Sequence, residues 1–400
     1  MGGAMSSVVI SGDTSGSITL QAPAVSGATT LTFPAVSGTV LQSGTTVTEA
    51  QGGTGTTIGH NSFKNRIING DMRIAQRGTT ATNTNNTYPV DRFRLAVSNS
   101  VVSLQQSSVV PAGAGFVNSI IATSSAATAV GAAETYEVSQ QIEGNNIADL
   151  HWGTANAKPI TLSFWVRSSL TGTFGGTFEN SGNTRAYPFS YTISTANTWE
   201  QKTITVAGDT SGTWLTDNGR GVIIRWSLGC GSSLLNTANT WVAGDYQSVT
   251  GETKLVGTNG ATWYLTGVQL EKGSTATSFD YRPFGTELQL CQRYFELTGF
   301  GNIAIFESGS TYVMNLVYKV TKRAQPSIGL YTTSNIRVRQ FGTADRDAAS
   351  PGVASTAGST NGGYIKVNGF SSAGATSSVA GIGFTTSAEN GDLFSISSEL

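Results

Sequence analysis

The chain carries two histidines, His60 and His151, two cysteines, Cys230 and Cys291, and seven tryptophans. A histidine beside a serine and a carboxylate could drive acyl transfer. Serines abound here, but no Gly-x-Ser-x-Gly elbow stands between a strand pattern and a helix pattern. His60 lies at a glycine-rich joint, where a solvated polar residue is expected. His151 stands beside Trp152 in an expected loop, where it could hydrogen-bond a sugar. Four carboxylates, Glu134, Glu137, Glu143 and Asp149, cluster in sequence. Paired carboxylates about 5 Å apart, or roughly 6.5–9.5 Å apart, could cleave a glycosidic bond. In a chain this poor in charge, their expected role is to solvate a loop. Gly52-Gly-Thr-Gly55 lacks the Gly-Lys-Ser/Thr end of a phosphate loop. Gly-Asp-Thr-Ser-Gly occurs at 12–16 and 208–212 and reads as a turn whose Asp bonds its own backbone. No catalytic site is expected.

The tryptophans suggest binding instead. An indole face packs against the C–H side of a sugar ring, while nearby Asn, Asp and Arg take its hydroxyls. Trp152, Trp214 and Trp241 adjoin Gly, Thr, Asn or Asp in expected loops, so they and His151 are the candidate carbohydrate-binding residues. Trp165, Trp226 and Trp263 sit inside strand runs and are expected in the core. For each loop tryptophan taken singly, burial under its own loop is expected over sugar binding.

The elements that would position these residues are strands. Charged residues make up 12% of the chain, against roughly 25% in typical domains. Thr, Ser, Gly and Asn take their place, and these suit short strands and tight turns. A formal charge of −1 argues against nucleic acid, whose phosphates need clustered Lys and Arg. No polybasic run and no apolar stretch of about 20 residues point to a membrane. The start, MGGAMSSVVISGD, has neither a basic n-region nor an apolar h-region, so no secretory signal is expected. Cys230 and Cys291 are expected as buried free thiols, with a disulfide as the alternative.

Three regions are expected. Residues 1–57 repeat an eleven-residue unit: Thr19-Leu-Gln-Ala-Pro-Ala-Val-Ser-Gly-Ala-Thr29 is followed by Thr30-Leu-Thr-Phe-Pro-Ala-Val-Ser-Gly-Thr-Val40. Each unit is too small to bury a face alone, so a fibrous shaft is expected over a linker, with three chains burying Leu20, Val25, Leu31, Phe33 and Val36 between them. Residues 58–285 carry aromatic and β-branched runs at 92–97, 160–166, 203–206, 222–228 and 262–268. Without long helical segments between them, they predict a β-sandwich or jelly roll. Thr286-Glu-Leu-Gln289 has the form of a capping box, and Leu288, Cys291 and Phe295 would share one apolar face. Residues 286–400 then predict another β domain, with strands at 303–306, 312–320, 336–341, 364–370 and 381–385 and a loop over 343–363.

A resemblance to phage tail fibres and virion structural proteins rests on ordered landmarks. They are Gly52-Gly-Thr-Gly55, Asn69-Gly-Asp-Met72, Tyr88-Pro-Val-Asp-Arg-Phe93, Ser163-Phe-Trp-Val-Arg-Ser168, Asn197-Thr-Trp-Glu200, Val268-Gln-Leu-Glu-Lys-Gly273, Leu290-Cys-Gln-Arg-Tyr-Phe295 and Lys322-Arg-Ala-Gln-Pro326. The resemblance implies an all-β chain with an N-terminal repetitive fibre segment, a central jelly-roll β-sandwich similar in architecture to carbohydrate-binding domains, and a C-terminal, distal β domain. It implies a homotrimer in the virion tail, made in the host cytoplasm, joined to other tail proteins through its N-terminal segment. Its mate would be a bacterial surface glycan or protein receptor. Jelly rolls of this kind often hold a structural calcium, which points to Asp71 and Glu271, although the usual acidic pair in the final strand is missing; no other cofactor is expected. Two alternatives stay open: a baseplate or head-decoration protein with no receptor role, and a polysaccharide-degrading tail spike.

Overall fold

Along Ile160–Ser168, Leu162, Phe164 and Val166 alternate with Ser163, Trp165 and Arg167, so the strand has one apolar and one mixed face. Stacking two such sheets through their apolar faces removes both from water. The computed structural model describes residues 7–11, 17–21, 63–298, 303–308, 310–331, 336–340, 346–348, 351–370, 380–385 and 394–400. The protein is all-β, and among the described residues Phe284–Gln292 is the one α-helix. The chain divides between Gly59 and His60 into two units. In the first, Ser7–Ser11 pairs antiparallel with Ser17–Gln21. The rest of the eleven-residue repeat lies outside the described residues.

The second unit is built on a jelly-roll β-sandwich. Its larger sheet runs, in spatial order, Val242–Ala243, Arg185–Ile193, Gly172–Glu179, Arg220–Cys230, Thr135–Glu143, Phe93–Val97 and Thr87–Val90. The smaller sheet runs Glu200–Val206, Ile160–Ser168, Thr262–Lys272, Ser119–Ser124 and Val102–Ser107. Neighbouring strands in both sheets are antiparallel. Across the core, the Trp226 ring meets Phe164 edge-on at 5.9 Å, and the Trp263 Nε1–H donates to the Tyr191 hydroxyl at 3.2 Å. Trp226 and Trp263 are fully buried, as expected.

The outer face of the larger sheet carries charge. Arg225 donates to Glu137 at 2.6 Å and to Glu179 at 2.9 Å, and Arg94 donates to Glu137 at 3.0 Å. The excursion 231–256 lies on this face: a Cβ on Gly175 would meet the Ser248 hydroxyl, so only glycine admits the close approach. Burial raises the Glu137 pKa, but Arg225 and Arg94 outweigh it and hold the carboxyl below its ordinary value. Glu179 goes the other way. Burial, reinforced by Asp245 beside it, lifts its pKa to about 8 against the opposing pull of Arg225. Glu137 and Glu143, expected to solvate a loop, are instead buried in the strand Thr135–Glu143. Glu143 accepts from Arg293 at 2.6 Å and 3.0 Å and from the Tyr294 hydroxyl at 2.9 Å.

The helix starts earlier than expected. Pro283 is its N-cap and no side chain caps it, so the Thr286 capping box does not form. Glu287 is used elsewhere: it accepts from the Asn69 backbone N–H at 2.5 Å and from Arg282 at 3.2 Å. Cys291 is buried against Ile68, Ile74 and Tyr294, while Phe295 opens the following strand. Cys230 and Cys291 are both free and buried. Beyond the helix, Phe295–Thr298, Phe394–Ser397 and Ser327–Leu330 form one sheet. A second contains Thr311–Val317, Gly362–Asn368 and Gly352–Gly358. The loop expected over 343–363 therefore holds strands, Arg346–Ala348 and Gly352–Gly358. Gly352–Gly358 is an edge strand whose backbone ladder to Gly362–Asn368 needs no apolar side chain. Lys322 and Glu296 pair at 2.8 Å with both side chains fully enclosed.

Two consequences can be measured. Folded Glu179 keeps its proton up to about pH 8, whereas the unfolded carboxyl releases it near 4.5. The folded chain thus binds more protons between those values, and stability falls as pH rises through that window. Urea midpoints at its two ends should show the fall, and Glu179→Gln should flatten it. Lys322→Met would strand the Glu296 carboxylate, so urea denaturation should show a loss of about 3 to 5 kcal/mol. Adding Glu296→Gln should return most of it, because Gln still accepts from the Lys319 N–H that Glu296 binds at 3.1 Å.

Candidate functional site

The three tryptophans chosen from sequence do come together. Trp152 and Trp214 meet edge-on at 4.7 Å, Trp241 meets them at 5.4 Å and 5.5 Å, and Tyr187 completes the group at 5.1 Å from Trp241. They do not form an open platform. Trp152 is 6% exposed and Trp214 7%, and their indole N–H groups donate to the carbonyls of Lys158 at 2.8 Å and Ser211 at 3.1 Å. Trp241 is half-buried and donates to the Ala207 carbonyl at 2.7 Å. The three rings pack edge to face on one another, with Trp152 and Trp214 buried and Trp241 half-buried. The nearby turn at 208–212 forms as expected: Asp209 accepts from the Ser211 N–H at 3.1 Å and binds Arg185 at 2.9 Å and 2.7 Å. His151 is exposed, in the left-handed region at φ 53°, and ends the short 3-10 turn Ala148–Leu150.

Asp71 and Glu271 do not fit a shared calcium site. Asp71 is ion-paired to Arg73, which already supplies the cation. The Glu271 Oε1 accepts from Gln269 Nε2 and the Thr277 N–H, both at 2.9 Å, and Oε2 from the Thr277 hydroxyl at 2.8 Å. A calcium shell needs about six to eight free oxygen ligands. Among the described residues, no three His, Cys, Asp or Glu side chains converge on a metal position.

The outer face of the smaller sheet is different. Register places Tyr264 opposite Arg167 and Ile121, and Trp165 opposite Gln201 and Thr266. Asn197, at φ 58°, turns the chain so that its N–H donates to the Ser168 carbonyl at 2.6 Å. Glu200 then fastens the turn by accepting from the N–H groups of Ser194 at 2.8 Å and Thr195 at 3.0 Å. This delivers Trp199 beside Tyr264, ring to ring at 6.0 Å. The Arg167 guanidinium lies 5.1 Å from the Tyr264 ring centre and is steered there by its Nε–H, which donates to the Asn197 carbonyl at 2.9 Å. Trp165, Arg167, Trp199 and Tyr264 are all half-buried, and Gln201 and Thr203 are exposed.

One end of this face is closed and the other open. Thr266 donates to the Asn118 carbonyl at 2.7 Å, and Gln269 to the carbonyls of Thr277 at 3.3 Å and Ser278 at 3.1 Å, so two connectors cover that end. Their aromatic ridge is Phe116, Phe279 and Tyr281, with centroids 4.8–5.7 Å apart. Gly267 makes the junction possible. It sits at φ +60° in a break of strand register, and a Cβ there would lie 2.5 Å from Phe116 and 3.0 Å from Trp165. Sequence reasoning put Trp165 in the core because it lies in a strand. The contrary signal was its phase: Trp165 and Arg167 are out of step with Leu162, Phe164 and Val166, and Tyr264 with Trp263 and Leu265.

No protein-family model and no curated protein matches the chain. Among solved structures, the enzymatically active domain of a bacteriophage CBA120 tailspike protein matches with a TM-score of 0.31 at 12% identity, covering 52% of this chain and 22% of the tailspike chain. A family 11 carbohydrate-binding module of a Clostridium thermocellum cellulosomal cellulase matches with a TM-score of 0.25 at 11% identity, covering 50% of this chain and 98% of the module. A further carbohydrate-binding module, solved in complex with β-1,4-galactotriose, matches with a TM-score of 0.27 at 10% identity, covering 52% of this chain and 99% of its own.

Proposed function

We propose that this protein is a tail fibre of a bacterial virus, and that it attaches the particle to its host by binding a surface glycan without turnover. The observation that carries the glycan reading is the open end of the smaller sheet's outer face. Trp165, Trp199 and Tyr264 are each half-buried there, on a face the core does not need. Aromatic faces of this kind pack against the C–H side of sugar rings. Arg167, Gln201 and Thr203 stand beside them to take hydroxyls. The carboxylate beside this face, Glu200, is taken up by the Ser194 and Thr195 N–H groups and by Lys202, which favours binding over hydrolysis.

The virion reading is supported by the sequence landmarks and by the eleven-residue repeat. Three chains wound together would bury the repeat's apolar positions and present three platforms at once, so weak sites would add through avidity.

Purified full-length protein should adsorb to susceptible bacteria and compete with infection. Trp199→Ala and Tyr264→Ala should each weaken adsorption about tenfold or more, near 1.4 kcal/mol, with unfolding unchanged. Trp214→Ala, at a buried member of the tryptophan trio, should instead cost about 3–5 kcal/mol of stability. Full adsorption by the Trp199→Ala, Tyr264→Ala double variant would overturn the assigned face. Reducing ends released from bound polysaccharide would overturn a non-catalytic role, and light scattering from a stable monomer would remove the trimer.

A further inference from the structure

A second concave surface is a cleft of about 290 Å³ whose walls include Phe63, Arg66, Asn145, Asn146, Asp149 and Arg282, none of them on the tryptophan face. We infer that this cleft is a separate subsite for a single neutral sugar residue; this rests on the glycan-binding reading and deepens it.

Phe63 gives the first reason. The residue is 61% exposed, and its backbone sits at φ 59°, a region that bulky side chains rarely adopt. Such conformations persist where surrounding structure enforces them, and they cluster at ligand clamps. Here the ring is held over the Arg282 guanidinium, 5.7 Å from its centroid, instead of turning into the core.

Charge bookkeeping decides the ligand class. Arg66 is engaged bidentately by Asp149 at 2.8 Å and 2.9 Å and also binds the Asn146 carbonyl. Arg282 binds Glu287 at 3.2 Å and the carbonyls of Ile67 and Asn65. Neither guanidinium is left to select an anion. Lys272 also donates to Asp149 Oδ2 at 3.2 Å, so the cleft offers an exposed phenylalanine, the Asn146 side chain and the remaining lone pair of Asp149 Oδ1, on a side chain half in water. A ring with an apolar C–H face and several hydroxyls answers all three, with its face on Phe63 and its hydroxyls on Asp149 and Asn146. The volume is at the low end of the roughly 300–1,000 Å³ of ligand pockets, which suits one residue and not a long chain.

The test is saturation-transfer NMR on the full chain with galactose, glucose and mannose as separate probes. In the Trp199→Ala, Tyr264→Ala background, at least one hexose should still receive saturation. Adding Phe63→Ala should weaken that binding about tenfold, and Phe63→Tyr should preserve it. Because Phe63 is exposed, thermal unfolding should be unchanged. No hexose signal in that background, or a signal indifferent to Phe63→Ala, would overturn the cleft and leave the tryptophan face untouched. If Phe63→Ala alone abolished both hexose binding and cell adsorption while the double variant kept both, the cleft would stand and the tryptophan face would fall.

Discussion

A strand that sends one side chain inward must send the next one outward, and this period of two governs every surface of the sandwich. Trp226 can fill the core only if Arg225 points the other way. Phe164 and Val166 can do so only if Trp165 and Arg167 do not. The two sheets therefore share one dry interior but have two very different exteriors. The larger sheet's exterior is charged and the smaller sheet's is aromatic. What covers each of them settles what the protein can do.

Covering the charged exterior has a physical consequence. With 12% charged residues the chain could have kept nearly all of them in water, yet Glu137, Glu179 and Arg225 lie beneath the excursion 231–256. A buried ion pair recovers its desolvation cost only when its geometry is good and its remaining lone pairs are met. Arg225 supplies that geometry by donating to both Glu137 and Glu179, and burial, reinforced by Asp245, keeps a proton on Glu179. The same logic joins the sandwich to the strands beyond the helix. Arg92 lies over the Tyr294 ring at 3.5 Å and pairs with Glu399, while Arg323 donates to the carbonyls of Asn218, Ser398 and Glu399. These bonds give Arg92 and Arg323 a structural role at the joint. They fasten the joint and do not touch the aromatic face.

The all-β class and the runs around Phe164, Trp226 and Trp263 were legible because β-branched and aromatic residues there alternate cleanly. Thr135–Glu143 and Gly172–Glu179 were not. Their outward positions hold Glu, Gln, Gly and Thr, which read as loop until the excursion 231–256 is known to cover them. Gly352–Gly358 was missed for the opposite reason, since an edge strand is held by backbone bonds and leaves no apolar trace. Burial of Trp152 and Trp214 was the favoured expectation for each alone, but their meeting with Trp241 depended on contacts among residues tens of positions apart. Trp165 was misjudged although its phase was visible: membership of a strand was taken as burial, when only one face of a strand is buried.

The segment 273–282 ties the two proposed sugar surfaces to one cause. Gln269 and Glu271 bind its backbone at Thr277, Ser278 and Asp280, which lays it over the smaller sheet. That contact raises Phe279 and Tyr281 as the ridge closing the aromatic face at one end. The Asp280 carboxylate accepts from the Asn65 N–H at 3.2 Å, and Arg282 reaches the carbonyls of Asn65 and Ile67, so the same segment fixes the backbone next to Phe63. A connector hydrogen-bonded at both ends holds the proposed platform and cleft to one arrangement. Pre-shaping lowers the ordering cost of binding, which is how small, neutral contacts that are individually weak become useful when several act together.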